Sequence, residues 1–167
     1  MAMTDTTPKD DDLIDSLSKY RDAALAIIDR AERTLEICDP DLSQLPLESP
    51  AGIAALEAFL QRSAVPDCLR IVVHDVTHLE QHCPRLVRLL TAYAHRMTVR
   101  VSAREHRSLE QCFIVADNVH RLIRFHRDLP RARLSIDSPT DAAESLLHFE
   151  TLWERAQAVS PGSRLGL

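Results

Sequence analysis

The chain has 167 residues, of which 45% are apolar and 27% charged, a composition that predicts one folded domain and excludes a disordered or fibrous protein. The acidic start MAMTDTTPKDDD is unlike a signal peptide, and no apolar run approaches the roughly 20 residues of a membrane span. We therefore expect a soluble, cytoplasmic protein without a membrane span. We expect a flexible N-terminus over residues 1–10, a single domain over 11–157 and a loose tail over 158–167.

The formal net charge of −5 hides an asymmetry along the chain. Residues 1–64 carry 6 basic and 13 acidic side chains, whereas residues 85–133 carry 11 arginines and only 4 acidic side chains. The two segments therefore have formal charges of −7 and +7. An arginine-rich segment is typical of anion binding, although a solvated face that pairs with the acidic half explains the same pattern.

The first third of the chain predicts a helix, a strand and a second helix. Apolar residues from Leu13 to Ala31 recur at three- and four-residue spacing, which indicates one buried helix face. The segment 34–38 (TLEIC) predicts a short strand, and the three prolines within 39–50 predict a loop. Ser49 followed by Pro50 predicts the cap and first residue of the second helix.

The middle third predicts a strand, a helix and another strand. Residues 69–73 (LRIVV) form a β-branched, almost continuously apolar run, which is typical of a central strand covered on both faces. A helix over 77–93 contains Pro84, so we expect a kink or a late helix start there. Apolar and polar residues alternate over 97–102, which predicts a strand with one solvated or ligand-facing side.

The last third predicts a hairpin, a short strand and a helix. Strands are expected over 112–116 and 119–126, joined by a tight turn at 117–118. A last strand over 134–136 precedes a helix that begins after Ser138. The order of elements predicts an α/β fold in which helices flank both faces of one mixed β-sheet.

Three stretches resemble the phospholipase D superfamily in the correct order. AALAIIDRAERTLEICDPDLS resembles its opening helix and strand, AALEAFLQRSAVPDCLRIVVHD its next helix and strand, and CFIVADNVHRLIRF its catalytic strand, turn and returning strand. The closing LLHFETLWERA resembles its final helix, so that the resemblance covers about residues 20–157. The resemblance implies one half of a phospholipase D, and it implies a homodimer, because family members with one motif per chain pair across the active site.

The catalytic signature of that family, His-x-Lys-x4-Asp, is degenerate in this chain. In the family the histidine attacks phosphorus, the lysine holds phosphate oxygens and the aspartate supports the histidine. Aligning the aspartate on Asp117 places Glu110 at the histidine position and Cys112 at the lysine position. The two lysines, Lys9 and Lys19, precede the matching segment, so no other alignment restores the motif. The resemblance therefore implies a module that lacks the standard phosphodiesterase chemistry.

The basic segment HRLIRFHRDLPRAR supplies the candidate ligand-binding residues, which are His120, Arg121, Arg124 and His126. We expect them to bind an anionic, phosphate-bearing ligand or a protein partner. Alternation along a strand places Arg121 on the opposite face from the other three. Nucleic acid is a weaker candidate, because the chain offers few aromatic side chains on which bases would stack.

A histidine cluster supports an alternative function. His74, His78 and His82 are spaced by four residues, and His74 follows the predicted central strand, where α/β proteins often place sites. This cluster predicts zinc binding or a metal-dependent hydrolase, whereas surface or capping roles for the histidines predict neither. The glutamate of an H-E-x-x-H zinc site is absent. Without this cluster we expect no cofactor and no enzymatic activity.

Overall fold

The computed structural model describes residues 12–159 and shows one mixed, eight-stranded sheet in that range. In chain order the elements are β1 (Asp12–Ile14), α1 (Leu17–Arg30), β2 (Leu35–Asp39), α2 (Pro50–Arg62), β3 (Leu69–Val73), α3 (Thr77–His82), α4 (Pro84–Ala92), β4 (Met97–Val101), a short 3-10 helix (Arg104–His106), β5 (Cys112–Ala116), β6 (His120–Arg124), β7 (Ala132–Ser135), α5 (Pro139–Arg155) and β8 (Gln157–Ala158). The strand order across the sheet is β1-β7-β6-β5-β2-β3-β4-β8.

Three parallel strands, β2, β3 and β4, are extended on one side by antiparallel β5, β6 and β7. The carboxyl ends of β2, β3 and β4 therefore lie at one edge of the sheet, which we call the carboxyl edge. In the register of β5 against β2, Cys38 faces Phe113, so β5 starts at this edge. Because Cys112 faces Arg124, β6 ends there.

The helices cover both faces of the sheet, as the sequence predicts. Helices α1 to α4 cover one face over the larger core, in which Tyr20, Ile27, Phe59 and Leu60 are fully buried. Helix α5 covers the other face over a smaller core centred on Phe149. Each such side chain stabilises the fold by about 1.5–3 kcal/mol through burial. Within residues 12–159, none of the helices has the length and apolar character needed to cross a membrane.

Helix boundaries follow local capping. Helix α1 begins later than predicted, because the Ser16 hydroxyl accepts a hydrogen bond from the backbone N–H of Lys19, while Leu13 pairs with Arg133 in the short strand β1. The expected break at Pro84 is confirmed, since this proline is the first residue of α4. The expected N-terminus over 1–10 lies outside the described residues, and so does the expected tail apart from its first two residues.

Candidate functional site

The residues aligned with the phospholipase D motif do not meet in one cleft. The carboxylate of Asp117 accepts hydrogen bonds of 2.7–3.2 Å from the backbone N–H groups of Glu32, Arg33 and Thr34. Asp117 and the next residue have φ angles of 54° and 60°, which confirms the predicted tight turn. Because β5 separates Asp117 from Cys112 by about 17 Å of strand, this aspartate holds the loop before β2 and supports no group at the carboxyl edge.

Glu110 and Cys112 supply neither a nucleophile nor a cation. Cys112 is fully buried, and burial, aided by the Asp39 carboxylate, raises the pKa of its thiol to about 12. The thiol is therefore neutral at physiological pH and lacks the charge of the lysine that it replaces. The Glu110 carboxylate lies 3.2 Å from Nε2 of His126 and borders a separate cavity of about 580 Å³ beside Phe125.

A buried acidic side chain occupies the carboxyl edge next to Cys112. Asp39, the last residue of β2, is 1% exposed. Its Oδ1 accepts hydrogen bonds from the backbone N–H groups of Asp41 at 3.1 Å and Leu42 at 2.7 Å. Burial raises the pKa of this carboxyl to about 6, while those hydrogen bonds and the Arg124 guanidinium act in the opposite direction.

Arg124 is fixed beside this carboxylate at the end of β6. Its Nε donates a hydrogen bond to the carbonyl oxygen of Leu129 at 2.6 Å, and its guanidinium lies 5.4 Å from the centre of the Tyr20 ring. Arg124 is only 5% exposed, so its orientation is set by the surrounding protein. A guanidinium held in this way loses little conformational entropy when it binds an anion.

Two adjoining cavities meet at Arg124, with volumes of about 280 Å³ and 400 Å³. Both are lined by Gln44, Arg124, Arg127 and Asp128, and we call the pair the Arg124 cleft. Asp39 and Asp41 line the smaller cavity, and Leu17 and Pro130 line the larger one. The cleft therefore carries Asp39 and Asp41 at one end, the two arginines with Asp128 in its middle, and apolar side chains at the other end.

The four predicted ligand-binding residues divide between two environments. Arg124 lines the cleft. His126 adjoins it, because its Nδ1 accepts a hydrogen bond of 3.1 Å from the backbone N–H of Asp128, another lining residue. His120 is 6% exposed, and its Nδ1 accepts a hydrogen bond from the backbone of Asp137. Arg124 and His126 therefore lie in or beside the cleft, whereas His120 contacts only the surrounding protein through this bond.

Arg121 lies on the opposite face of the sheet, as strand alternation predicts, and packs against α5. It donates to the carbonyl oxygen of Asp141 at 3.2 Å and lies 3.6 Å from the carboxylates of Asp141 and Glu144.

Sequence reasoning missed Asp39 and gave Arg127 no role of its own. The position of Asp39 directly after a predicted buried strand was the available signal.

The three histidines of the predicted metal cluster do not converge. His74 is 7% exposed, and its Nδ1 lies 2.7 Å from the Ser102 hydroxyl. Burial, with Arg127 and Arg107 nearby, lowers the pKa of His74 to about 4, so the ring is neutral at physiological pH. His78 and His82 lie on α3 with ring centres 5.2 Å apart. In the stretch from 12 to 159, no three His, Cys, Asp or Glu side chains are placed to hold a metal ion, so the cluster is not formed.

Solved structures share this fold at low sequence identity. TrmBL2, an archaeal chromatin protein described as showing a novel mode of DNA binding, is 11% identical with a TM-score of 0.68 over 93% of this chain. Nuc from Salmonella typhimurium, a phospholipase D family member, is 15% identical with a TM-score of 0.63 over 90% of this chain and 99% of its own. NucT from Helicobacter pylori is 12% identical with a TM-score of 0.58 over 89% of this chain and 98% of its own.

These similarities establish a phospholipase D-like fold. The chain spans 57% of the length of TrmBL2. No curated protein matches the chain by sequence. A family model described as a domain of unknown function, DUF7931, matches residues 16–162, and the chain belongs to that family.

Proposed function

We propose that the protein is a non-catalytic phospholipase D-like module that binds a phosphate-bearing ligand in the Arg124 cleft. The observation that carries the proposal is the pair of guanidinium groups, Arg124 and Arg127, lining the cleft beside the buried Cys112. Guanidinium groups hold phosphate oxygens through paired, charge-assisted hydrogen bonds. Two such groups supply the positive charge that a lysine at position 112 would have contributed.

We expect no catalysis because the side chains at the carboxyl edge offer no suitable nucleophile. Phosphoryl transfer through a covalent enzyme intermediate needs a nucleophilic side chain at the carboxyl edge. The Glu110 carboxylate, which stands at the position of the family's histidine, pairs with the His126 ring instead. His74, the buried imidazole of this edge, has one ring nitrogen next to the Ser102 hydroxyl and lines neither cavity of the Arg124 cleft. Neither side chain lines the Arg124 cleft, so neither offers a nucleophile to a phosphorus atom bound there.

The proposal is tested by calorimetric titration with inorganic phosphate, ethyl phosphate and a 5′-phosphorylated oligonucleotide at two salt concentrations. Wild-type protein should bind at least one of them, more weakly at high salt because salt screens the attraction. Arg127→Gln should weaken binding about tenfold or more, the loss expected for a charge-assisted hydrogen bond. Arg88→Gln, which removes an exposed arginine of α4 outside the cleft, should have no effect.

The three probes also distinguish the sources of phosphate. Binding of the oligonucleotide alone would identify nucleic acid as the ligand class, whereas binding of the small phosphates would identify a compact ligand. Equal weakening by Arg127→Gln and Arg88→Gln would show that the cleft is not the site. Failure of all three probes to bind would overturn the proposal and leave a protein partner as the remaining interpretation.

A further inference from the structure

The Arg124 cleft contains a buried carboxylate oxygen that the protein leaves unpaired. Oδ1 of Asp39 accepts two backbone hydrogen bonds, but Oδ2 has no hydrogen-bond partner within the described part of the chain. Asp39 nevertheless lines the smaller cavity of the cleft and is 1% exposed. A buried polar atom without a partner is destabilising by about 1–3 kcal/mol, so a donor that contacted Oδ2 would be stabilising.

The neighbouring arginine does not satisfy this oxygen. Arg124 directs its Nε to the carbonyl oxygen of Leu129 and stacks its guanidinium near Tyr20, and Oδ2 of Asp39 accepts no hydrogen bond from it. Both charged groups are held by their own strands, β6 and β2, at the carboxyl edge. The protein thus places a carboxylate and a guanidinium group in the lining of the same cavity, without a hydrogen bond from the guanidinium group to Oδ2 of Asp39.

The charges that line the smaller cavity do not suit a simple anion. Asp39, Asp41 and Asp128 face it together with Arg124 and Arg127, so carboxylates outnumber guanidinium groups. The larger cavity contains both arginines and only Asp128 as an acid. A ligand that spans both cavities would therefore meet negative charge at one end and positive charge in the middle.

We infer that the Arg124 cleft binds a dipolar ligand, with a phosphate group held by Arg124 and Arg127 and an ammonium group that donates a charge-assisted hydrogen bond to Oδ2 of Asp39. This inference rests on the proposed function and specifies its ligand class. A donor from the ligand satisfies the unpaired oxygen, and a cationic donor also balances the surplus of carboxylates. The same contact gives specificity, because a phosphate compound without the donor leaves Asp39 unpaired.

The test compares phosphoethanolamine with ethyl phosphate, which has the same phosphate and a similar length but no ammonium group. Calorimetric titration of wild-type protein should give a Kd for phosphoethanolamine about tenfold lower, the gain expected from one charge-assisted hydrogen bond. N-acetylated phosphoethanolamine, which lacks the charge, should bind like ethyl phosphate. Equal affinity for all three would overturn the inference and leave the proposed function intact, whereas binding of none would overturn both.

Two substitutions test whether Asp39 causes the preference for phosphoethanolamine over ethyl phosphate. Asp39→Asn keeps an oxygen for the N–H groups of Asp41 and Leu42 and removes the charge, so it should abolish the preference while ethyl phosphate binding persists. Asp41→Asn removes a charge from the same cavity and should keep the preference, because its Oδ1 already accepts from Ser43. Loss of the preference in Asp41→Asn alone, or in both variants equally, would contradict the assignment to Asp39. If Asp39→Asn does not fold, the comparison of phosphoethanolamine with its N-acetylated form on wild-type protein still tests whether the ammonium group is recognised.

Discussion

Glu36 shows how one buried residue sets the pH dependence of stability. It points from β2 towards α5 and is 3% exposed. One carboxylate oxygen accepts a hydrogen bond from Arg70 at 3.1 Å, while the other has no partner among the residues that the structure describes. Arg70 is shared with Glu150 and lies 5.1 Å from the Phe149 ring centre. Burial raises the pKa of Glu36 from 4.5 to about 7, against the opposing effect of Arg70.

The raised pKa predicts that Glu36 lowers stability as pH rises. Between its unfolded value of 4.5 and its folded value of about 7, the folded state binds the extra proton, so the free energy of unfolding falls with pH. The loss is of the order of 3 kcal/mol at pH 8. Glu36→Gln should therefore be more stable than wild type at pH 8 and close to it at pH 4.5, measured by urea unfolding. A difference between the two proteins that does not change with pH would contradict this assignment.

His74 predicts the opposite pH dependence. Its folded pKa of about 4 lies below the ordinary histidine value of 6.5, so the unfolded state binds the extra proton between these values. The stability that the neutral ring contributes is present above pH 6.5 and is lost as pH falls to about 4. His74→Gln should flatten the acid side of the stability curve, whereas His82→Gln, on the exposed side of α3, should leave it unchanged. Identical curves for His74→Gln and wild type would show that His74 is not buried in its neutral form.

At the scale of elements, the hairpin of β5 and β6 connects the candidate site to the rest of the fold. Asp117 in its turn holds three consecutive backbone N–H groups before β2, so the start of β2 and the turn depend on each other. Asp117→Ala removes these charge-assisted bonds and a residue type that tolerates positive φ, and should reduce the free energy of unfolding by about 3 kcal/mol. Asp117→Asn retains one acceptor oxygen and should lose about half as much. Equal losses for the two variants in urea unfolding would show that the carboxylate charge has no role.

Helices and strands with a clear pattern of apolar residues were predictable from the sequence, whereas very short strands were not. The β-branched run at Leu69–Val73 and the turn at Asp117 were predicted correctly because local chemistry determines them. The edge strands Asp12–Ile14 and Gln157–Ala158 were missed, since three or two residues show no alternation and depend on pairing with β7 and β4. The break at Pro84 was predictable because proline is favoured at the first position of a helix and not within it.

At the scale of the whole molecule, the candidate site depends on strand register. Asp39 and Arg124 are far apart in the sequence, and they become neighbours only because β5 pairs with β2 on one side and β6 on the other. No local pattern encodes that register, so the basic segment was predictable while the acidic half of the cleft was not. The same register places Arg121 against α5, and strand alternation predicts only that Arg121 lies on the face opposite Arg124.

The homodimer remains a prediction of the resemblance to phospholipase D. Size-exclusion chromatography with light scattering should give twice the mass of the 18.8 kDa chain at micromolar concentration. A monomer at every concentration would contradict a paired arrangement across the carboxyl edge. It would leave the Arg124 cleft unaffected, because the residues that line it come from one chain.

The central claim, that the carboxyl edge binds phosphate and does not cleave it, is tested most directly by phosphorus-31 NMR of glycerophosphoethanolamine mixed with the protein. This phosphodiester carries an amine, so its resonance should broaden or shift with wild-type protein and change far less with Arg127→Gln at the same concentrations. No phosphomonoester resonance should appear during prolonged incubation. A growing monoester signal with wild-type protein would show that the site is catalytic, and a diester signal that is the same with and without protein would show that it does not bind phosphate.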